Sequence, residues 1–371
     1  MHNFDLITKE ILRGHPESGI EDIAEMYRRS PTQNAFWADK RVDFSKIKCP
    51  TYIRGSDVSG LHNMGSVRAW MEIPHSTPKW IQWGSYQEWF ELYSVPESEH
   101  SLVKFFDRFL RGVETGWEAE TPRVRWDALQ FGDRKPVQDI VIQDFPVPGT
   151  DYQDLFLSSD NRLSSSPPSE AQVLAYDSES KTSVLEFNHT FTTASRLIGL
   201  PKAELYLSCD AQDDFVVFVL LRKKDKDGKD MMHLNFPFSA SPINSIAEID
   251  TKSQHSVNTH IGPMGILRAS RRAIDAQRSI HPNFPFHPHD KEEKVAPGTV
   301  VKLEIGIWAI GTDFDAGESI SLRISGQNPT AAEFTAWSKP RPEHEKNHGE
   351  CKVHFGGEYP SKIIIPHIGS P

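Results

Sequence analysis

The spacing of apolar residues changes along the chain. In the first third, helical spacing and short apolar runs take turns. Phe4, Ile7 and Ile11 share one face of a predicted helix, Gly14 to Pro16 break it, and Ser18 can cap a second helix through Ile20, Ile23 and Tyr27. TYIRG at 51–55 predicts a short strand, and 65–73 predicts a helix with Val67, Trp70 and Met71 apolar. Lys79 to Trp83 predicts a second strand. Pro96 to Arg111 has the clearest helical period, with Leu102, Phe105, Phe106, Phe109 and Leu110 as its apolar stripe. Ser94 and Glu97 form a capping-box pattern ahead of it, and Gly112 stands where a helix C-terminus favours glycine. Strand, helix, strand, helix is the order of a parallel α/β sheet.

From Pro122 onward the period becomes two. Predicted strands cover 124–131, 139–145, 205–209, 215–223 and 362–368, separated by turn-rich links such as DKDGKD at 225–230. The strongest alternation lies between Thr299 and Ser325. Val301, Leu303, Ile305 and Ile307 fall on one face, and Ile320, Leu322 and Ile324 alternate with Ser321, Arg323 and Ser325. Gly311, Asp313, Asp315 and Gly317 lie between them and predict a turn joining two strands. The sequence therefore predicts an α/β portion at 1–120 followed by an all-β sandwich at 121–371, both in one chain.

Composition narrows this further. The chain has 371 residues, 37% hydrophobic and 25% charged, which predicts a globular protein of about two domains. Its net charge of −10 argues against a nucleic acid or an anionic membrane as partner. Cys49, Cys209 and Cys351 are odd in number and far apart, so neither a disulfide framework nor a structural zinc site is expected. The N-terminal residues read as an amphipathic helix rather than a secretion signal, and no apolar run approaches ~18 residues, so a cytoplasmic location is expected.

The chemical motifs are weak. His344 to His348 match HExxH, but Pro340, Pro342 and Gly349 deny them a helix, so a solvated loop is expected there rather than zinc. His281, His287 and His289 lie among prolines and phenylalanines without acidic or cysteine partners at ligand spacing. DKDGKD lacks the twelfth-position glutamate of a calcium loop and predicts a hairpin turn. Neither a glycine-rich nucleotide fingerprint nor a GxSxG nucleophile elbow occurs, and Ser56, Ser59 and Ser66 read as turn or cap serines. No cofactor is expected.

Several stretches in order carry a resemblance. They include FFDRFLRG (105–112), GWEAETPRVRW (116–126), RLIGLPKAELYLSCDAQDDFVVFVLLRKKDKDG (196–228), LRASRRAID (267–275), PFHPHDKEEKVAPGTVVKLEIGIW (285–308), FDAGESISLRISG (314–326) and HGECKVHFGGEYPSKIIIP (348–366). The chain resembles the cocaine-esterase (CocE/NonD) and X-Pro dipeptidyl-peptidase group of serine hydrolases from about residue 30 onward. The resemblance implies an α/β-hydrolase domain with a Ser-His-Asp triad, followed by a galactose-binding-like jelly roll. It implies cleavage of esters, amides or dipeptides ending in proline, with serine attacking the carbonyl, histidine moving the proton and aspartate orienting the histidine.

The chain departs from that pattern at each triad position. The half bearing the nucleophile elbow is not found in the sequence, so by this resemblance an N-terminally truncated member is expected. The family's acid follows the strand matching TYIRG; Ser59 occupies that position, with Asp57, a displaced triad acid, two residues earlier. The family's histidine follows the next strand, where this chain reads QWGSYQEW at 82–89, and the nearest histidines are His62 and His75. The expectation is a triad-degenerate hydrolase-family chain without turnover of its own, facing an ester or peptide substrate. The alternative is a non-catalytic binding or assembly module that forms a homo-oligomer or docks a hydrolase-domain partner. A groove lined by aromatics such as Trp308 or Trp337 would favour a bound ligand.

Overall fold

The computed structural model describes residues 23–249, 259–329 and 347–371. Two compact units divide the chain: Met1–Val42 with Pro288–Glu292, and Asp43–His287 with Glu293–Pro371. In the first, helix α1 (Ile23–Arg29) precedes α2 (Ala35–Asp39), and the Asn34 side chain caps α2 by accepting from Phe36 N at 3.0 Å. The Trp37 indole donates to Ser30 O at 2.8 Å, and His289 O accepts from Gln33 N at 2.8 Å. The predicted helix on Phe4, Ile7 and Ile11 lies outside the described residues.

The second unit begins with the strand–helix order expected from the sequence. Strand β1 (Thr51–Ser56) leads to α3 (Asn63–Glu72), then β2 (Lys79–Gly84), α4 (Glu88–Ser94), α5 (Pro96–Leu110) and α6 (Trp117–Glu120). Next come β3 (Val124–Ala128) and β4 (Val137–Val141). These strands form one sheet in the order β1-β2-β3-β4, parallel except for the last pair. The strands read at 124–131 and 139–145 thus extend the α/β sheet, and the end of the first, at Leu129, also bonds to Gly311 and Asp313. Alternation fixed their apolar face, but Ile81 pairs with Val124 and gives that face to the first sheet. Ile53, Ile81, Trp83, Val124 and Trp126 point to one side and pack on Val67 and Trp70 of α3. Trp83 stacks on Trp126 at 4.4 Å between ring centres, and Trp126 stacks on Phe145 at 4.3 Å.

Two features of α5 differ from expectation. Its N-cap is Val95, which makes no side-chain cap bond, so Ser94 and Glu97 do not form a capping box. Pro96 opens the helix instead, with no amide proton to satisfy there. The buried stripe is also narrower than its period suggested. Phe105 is buried against Tyr52, Trp80 and Trp117, whereas Phe106 and Leu110 are 48% and 77% exposed. Gly112 has the positive φ of 70° that the end of the helix requires.

The remaining strands are β5 (Asp151–Leu157), β6 (Leu163–Ser164), β7 (Gln172–Asp177), β8 (Leu185–Thr190), β9 (Ser195–Gly199), β10 (Lys202–Cys209) and β11 (Val216–Lys224). They continue as β12 (His233–Leu234), β13 (Thr259–His260), β14 (Met264–Arg268), β15 (Val301–Gly306), β16 (Ile310–Phe314), β17 (Ser319–Ser325), β18 (Glu350–Phe355) and β19 (Lys362–His367). One sheet runs β16-β9-β19-β10-β18-β7, with β15 on β10 and β5 on β19; the other runs β14-β11-β17-β8. A single apolar core joins them, with Leu205, Leu303, Val353 and Ile363 from one and Phe187, Val217, Leu322 and Ile324 from the other.

The pair expected between Thr299 and Ser325 is not a pair. Strand β15 bonds to β10 and β17 bonds to β11 and β8, in the opposite sheet. Residues 310–314, read as the turn, form the fully buried strand β16 on β9. Alternation sets which face a side chain takes, and says nothing about which strand lies beside it.

Candidate functional site

The expected acid and histidine positions lie at the carboxyl ends of β1 and β2, the region where parallel α/β sheets place ligands. Asp57 follows β1 directly and is 3% exposed. Its Oδ2 accepts from the Trp83 indole at 3.0 Å and its Oδ1 from Gly311 N at 3.0 Å. Burial pushes its carboxyl well above the ordinary aspartate range. The structure therefore brings Asp57 to the foot of β16. A Cβ on Gly311 would lie 2.4 Å from Asp127 O and 2.5 Å from the Trp126 indole nitrogen, so this approach needs glycine.

Ser59 is turned the other way. Its hydroxyl donates to Glu88 Oε1 at 3.1 Å, and His62 Nδ1 meets the same oxygen. Glu88 is the first residue of α4, in the segment where a histidine was sought. Ser59, Glu88 and His62 thus stand together, with the carboxylate between hydroxyl and imidazole. Base-assisted attack needs the imidazole in the middle, so that it takes the hydroxyl proton. Ser59 is also only 4% exposed, which keeps a carbonyl from reaching it. His75 is exposed in the link between α3 and β2. Ser56 accepts from Val58 N at 3.1 Å, a turn role as expected, whereas Ser66 lies inside α3 and donates to Arg54 O of β1 at 3.4 Å. Ser85, buried, donates to Asp127 Oδ2 at 2.9 Å, and burial raises the Asp127 carboxyl.

A cleft of about 540 Å³ opens beside this cluster. Arg54, Gln82 and Arg125 line it from one register across β1, β2 and β3. Arg54 Nη2 donates to Glu91 Oε2 at 2.6 Å; the two side chains are 8% and 4% exposed. Burial pushes the Glu91 carboxyl up to about 7, against the pull of the guanidinium. Arg125 donates to Tyr52 Oη at 3.2 Å and Asp139 Oδ1 at 3.3 Å. Sequence reading missed this row because it followed the apolar phase of each strand. The signal was present in the other phase, at Arg54, Gln82 and Arg125.

The remaining candidates resolve into local structure. Asn283 N donates to His281 Nδ1, and the His287 ring nitrogens lie 3.0 and 3.1 Å from the carbonyls of Ala273 and Glu304. DKDGKD forms a turn in which Asp225 Oδ1 accepts from Asp227 N and Lys229 N. His344 and Trp337 lie outside the described residues, and Trp308 packs on Leu220, Ile261 and Met264. Among the described residues, no group of His, Cys, Asp and Glu side chains converges to hold a metal ion. Among them, too, no helix is long and apolar enough to cross a membrane.

Comparison with known proteins accounts for the architecture. A CocE/NonD family hydrolase from Staphylococcus aureus superposes with a TM-score of 0.82 at 26% identity, over 98% of this chain and 62% of that one. An aminopeptidase from a marine sediment Thaumarchaeota archaeon gives 0.61 at 16% identity, over 96% of this chain and 61% of that one. An α-amino acid ester hydrolase gives 0.62 at 14%, over 98% and 62%; these last two show likeness of fold. The chain spans less than two thirds of the length of these proteins. No curated protein sequence matches it. Residues 115–364 match the model of the X-Pro dipeptidyl-peptidase C-terminal non-catalytic domain. With more than half its length so matched, on the architecture of the CocE/NonD hydrolases, the chain belongs to the X-Pro dipeptidyl-peptidase C-terminal domain family.

Proposed function

We propose that this chain is the non-catalytic, sandwich-bearing part of a serine hydrolase acting on acyl esters or peptides, and that it has no turnover by itself. The observation that carries this reading is the lock at the ends of β1 and β2. Ser59 is buried on Glu88, and Asp57, the displaced triad acid, is committed to Trp83 and Gly311. In this reading the α/β portion, expected at 1–120 from the sequence, runs on through β4, and the strands that follow form a galactose-binding-like jelly roll. A hydrolase-domain partner would have to supply both the nucleophile and the histidine of a serine mechanism, whereas a second copy would form a homo-oligomer that lacks them. The test is direct. Purified chain is incubated with aryl esters, Xaa-Pro anilides and a fluorophosphonate probe. No turnover and no labelled serine are expected; hydrolysis together with labelling of one serine would overturn the reading.

A further inference from the structure

We propose that the cleft beside α4 is a binding site for a small monocarboxylate bearing an aromatic or other apolar group. Arg54 forms its floor. A guanidinium carries five donors, and burial without partners is costly for a charged group. Only Nη2 of Arg54 is paired; Nε and Nη1 are buried without a hydrogen-bond partner, although the side chain is 8% exposed and lines an open cleft. Arg125 Nε, two strands away on the same face, is also unpartnered. An incoming carboxylate supplies acceptors for the Arg54 guanidinium, a group that binds this planar anion well, with Arg125 adding positive charge along the same face.

The rest of the cleft selects the ligand. Tyr86, Phe90 and Phe238 give one side an apolar wall for a ring. Glu97 and Asp139 also line the cleft and disfavour a second negative charge, so a carboxylate fits better than a phosphate dianion. The site does not depend on the hydrolase reading, because none of its residues belongs to the Ser59, Glu88 and His62 cluster.

The experiment is calorimetric titration of the intact chain with phenylacetate, phenylacetamide and inorganic phosphate. Phenylacetate is expected to saturate below roughly 10 mM, with phenylacetamide and phosphate at least about tenfold weaker. Arg54→Lys, which keeps the charge but loses the planar donor set, should weaken phenylacetate binding several-fold. Because that variant touches a buried group, Phe238→Ala is paired with it; it removes part of the wall, leaves the floor intact, and should also weaken binding. Equal binding of acid and amide, preference for phosphate, or no saturation with phenylacetate would each overturn the proposal. So would binding unchanged in both variants.

Discussion

Asp57 and Ser59 lie two positions apart and do different physical work. Both oxygens of Asp57 accept hydrogen bonds from N–H groups, so an amide in its place must turn an NH₂ toward either the Trp83 indole or Gly311 N. Asp57→Asn is expected to cost about 1–3 kcal/mol, the penalty of a buried unsatisfied donor. Ser59→Ala removes one donor from Glu88 and should stay within about 1 kcal/mol. Denaturant unfolding of the two variants checks this; equal loss would mean that Asp57 does not hold the junction. Asp57 was legible in the sequence as an acid after a strand. Its partners were not, because Gly311 stands far along the chain and comes near only through the packing of β16.

At the scale of elements, α4 is held to the sheet by the buried Arg54–Glu91 pair and by Glu88 at its first turn. The raised Glu91 carboxyl gives this attachment a pH dependence. The folded chain keeps the Glu91 proton up to about pH 7, whereas an ordinary glutamate loses it near 4.5. Stability from this group is therefore greatest at acid pH and is lost as pH rises from the unfolded value through the folded one, by on the order of 3 kcal/mol. Glu91→Gln cannot titrate. Wild type should lose stability relative to this variant between pH 5 and roughly pH 8, and a constant difference across that range would refute the assignment. Helix α3 shows the same economy of partners: Lys79, buried, donates its ammonium to Trp70 O and Ile73 O at the helix C-terminus, where unpaired carbonyls favour a cation. Local period located α3, α5, β1 and β2 within a residue or two. It overstated the buried width of α5, because the helix meets the sheet along only the Phe105 edge.

For the whole molecule, the α/β sheet and the sandwich meet at a polar seam that holds paired buried charges. Arg196 forms a two-point pair with Asp313 at 2.6 and 2.7 Å, and Lys223, fully buried, reaches Glu318 at 2.7 Å and the carbonyls of Gln130 and Asp313. Leu129 N donates to Gly311 O, and Asp313 N to Leu129 O, so β16 is bonded to the end of β3 as well as to β9. Gly311→Ala would press a methyl against Asp127 O and the Trp126 ring at this seam. It is expected to cost roughly 1–3 kcal/mol and to lower the melting temperature of the whole unit in one transition. Separate melting of the two parts would show that the seam is not what couples them. By itself the sequence determined where α3, α5, β1, β2 and the most strongly alternating sandwich strands lie, and the apolar face of those strands. Those properties follow from local backbone period and residue chemistry. The tertiary structure decided partners: Arg54 beside Gln82 and Arg125, Cys209 opposite Cys351, and β15 and β17 in different sheets. Pairing is a long-range choice, since strands with the same alternation compete for the same neighbour until packing selects one.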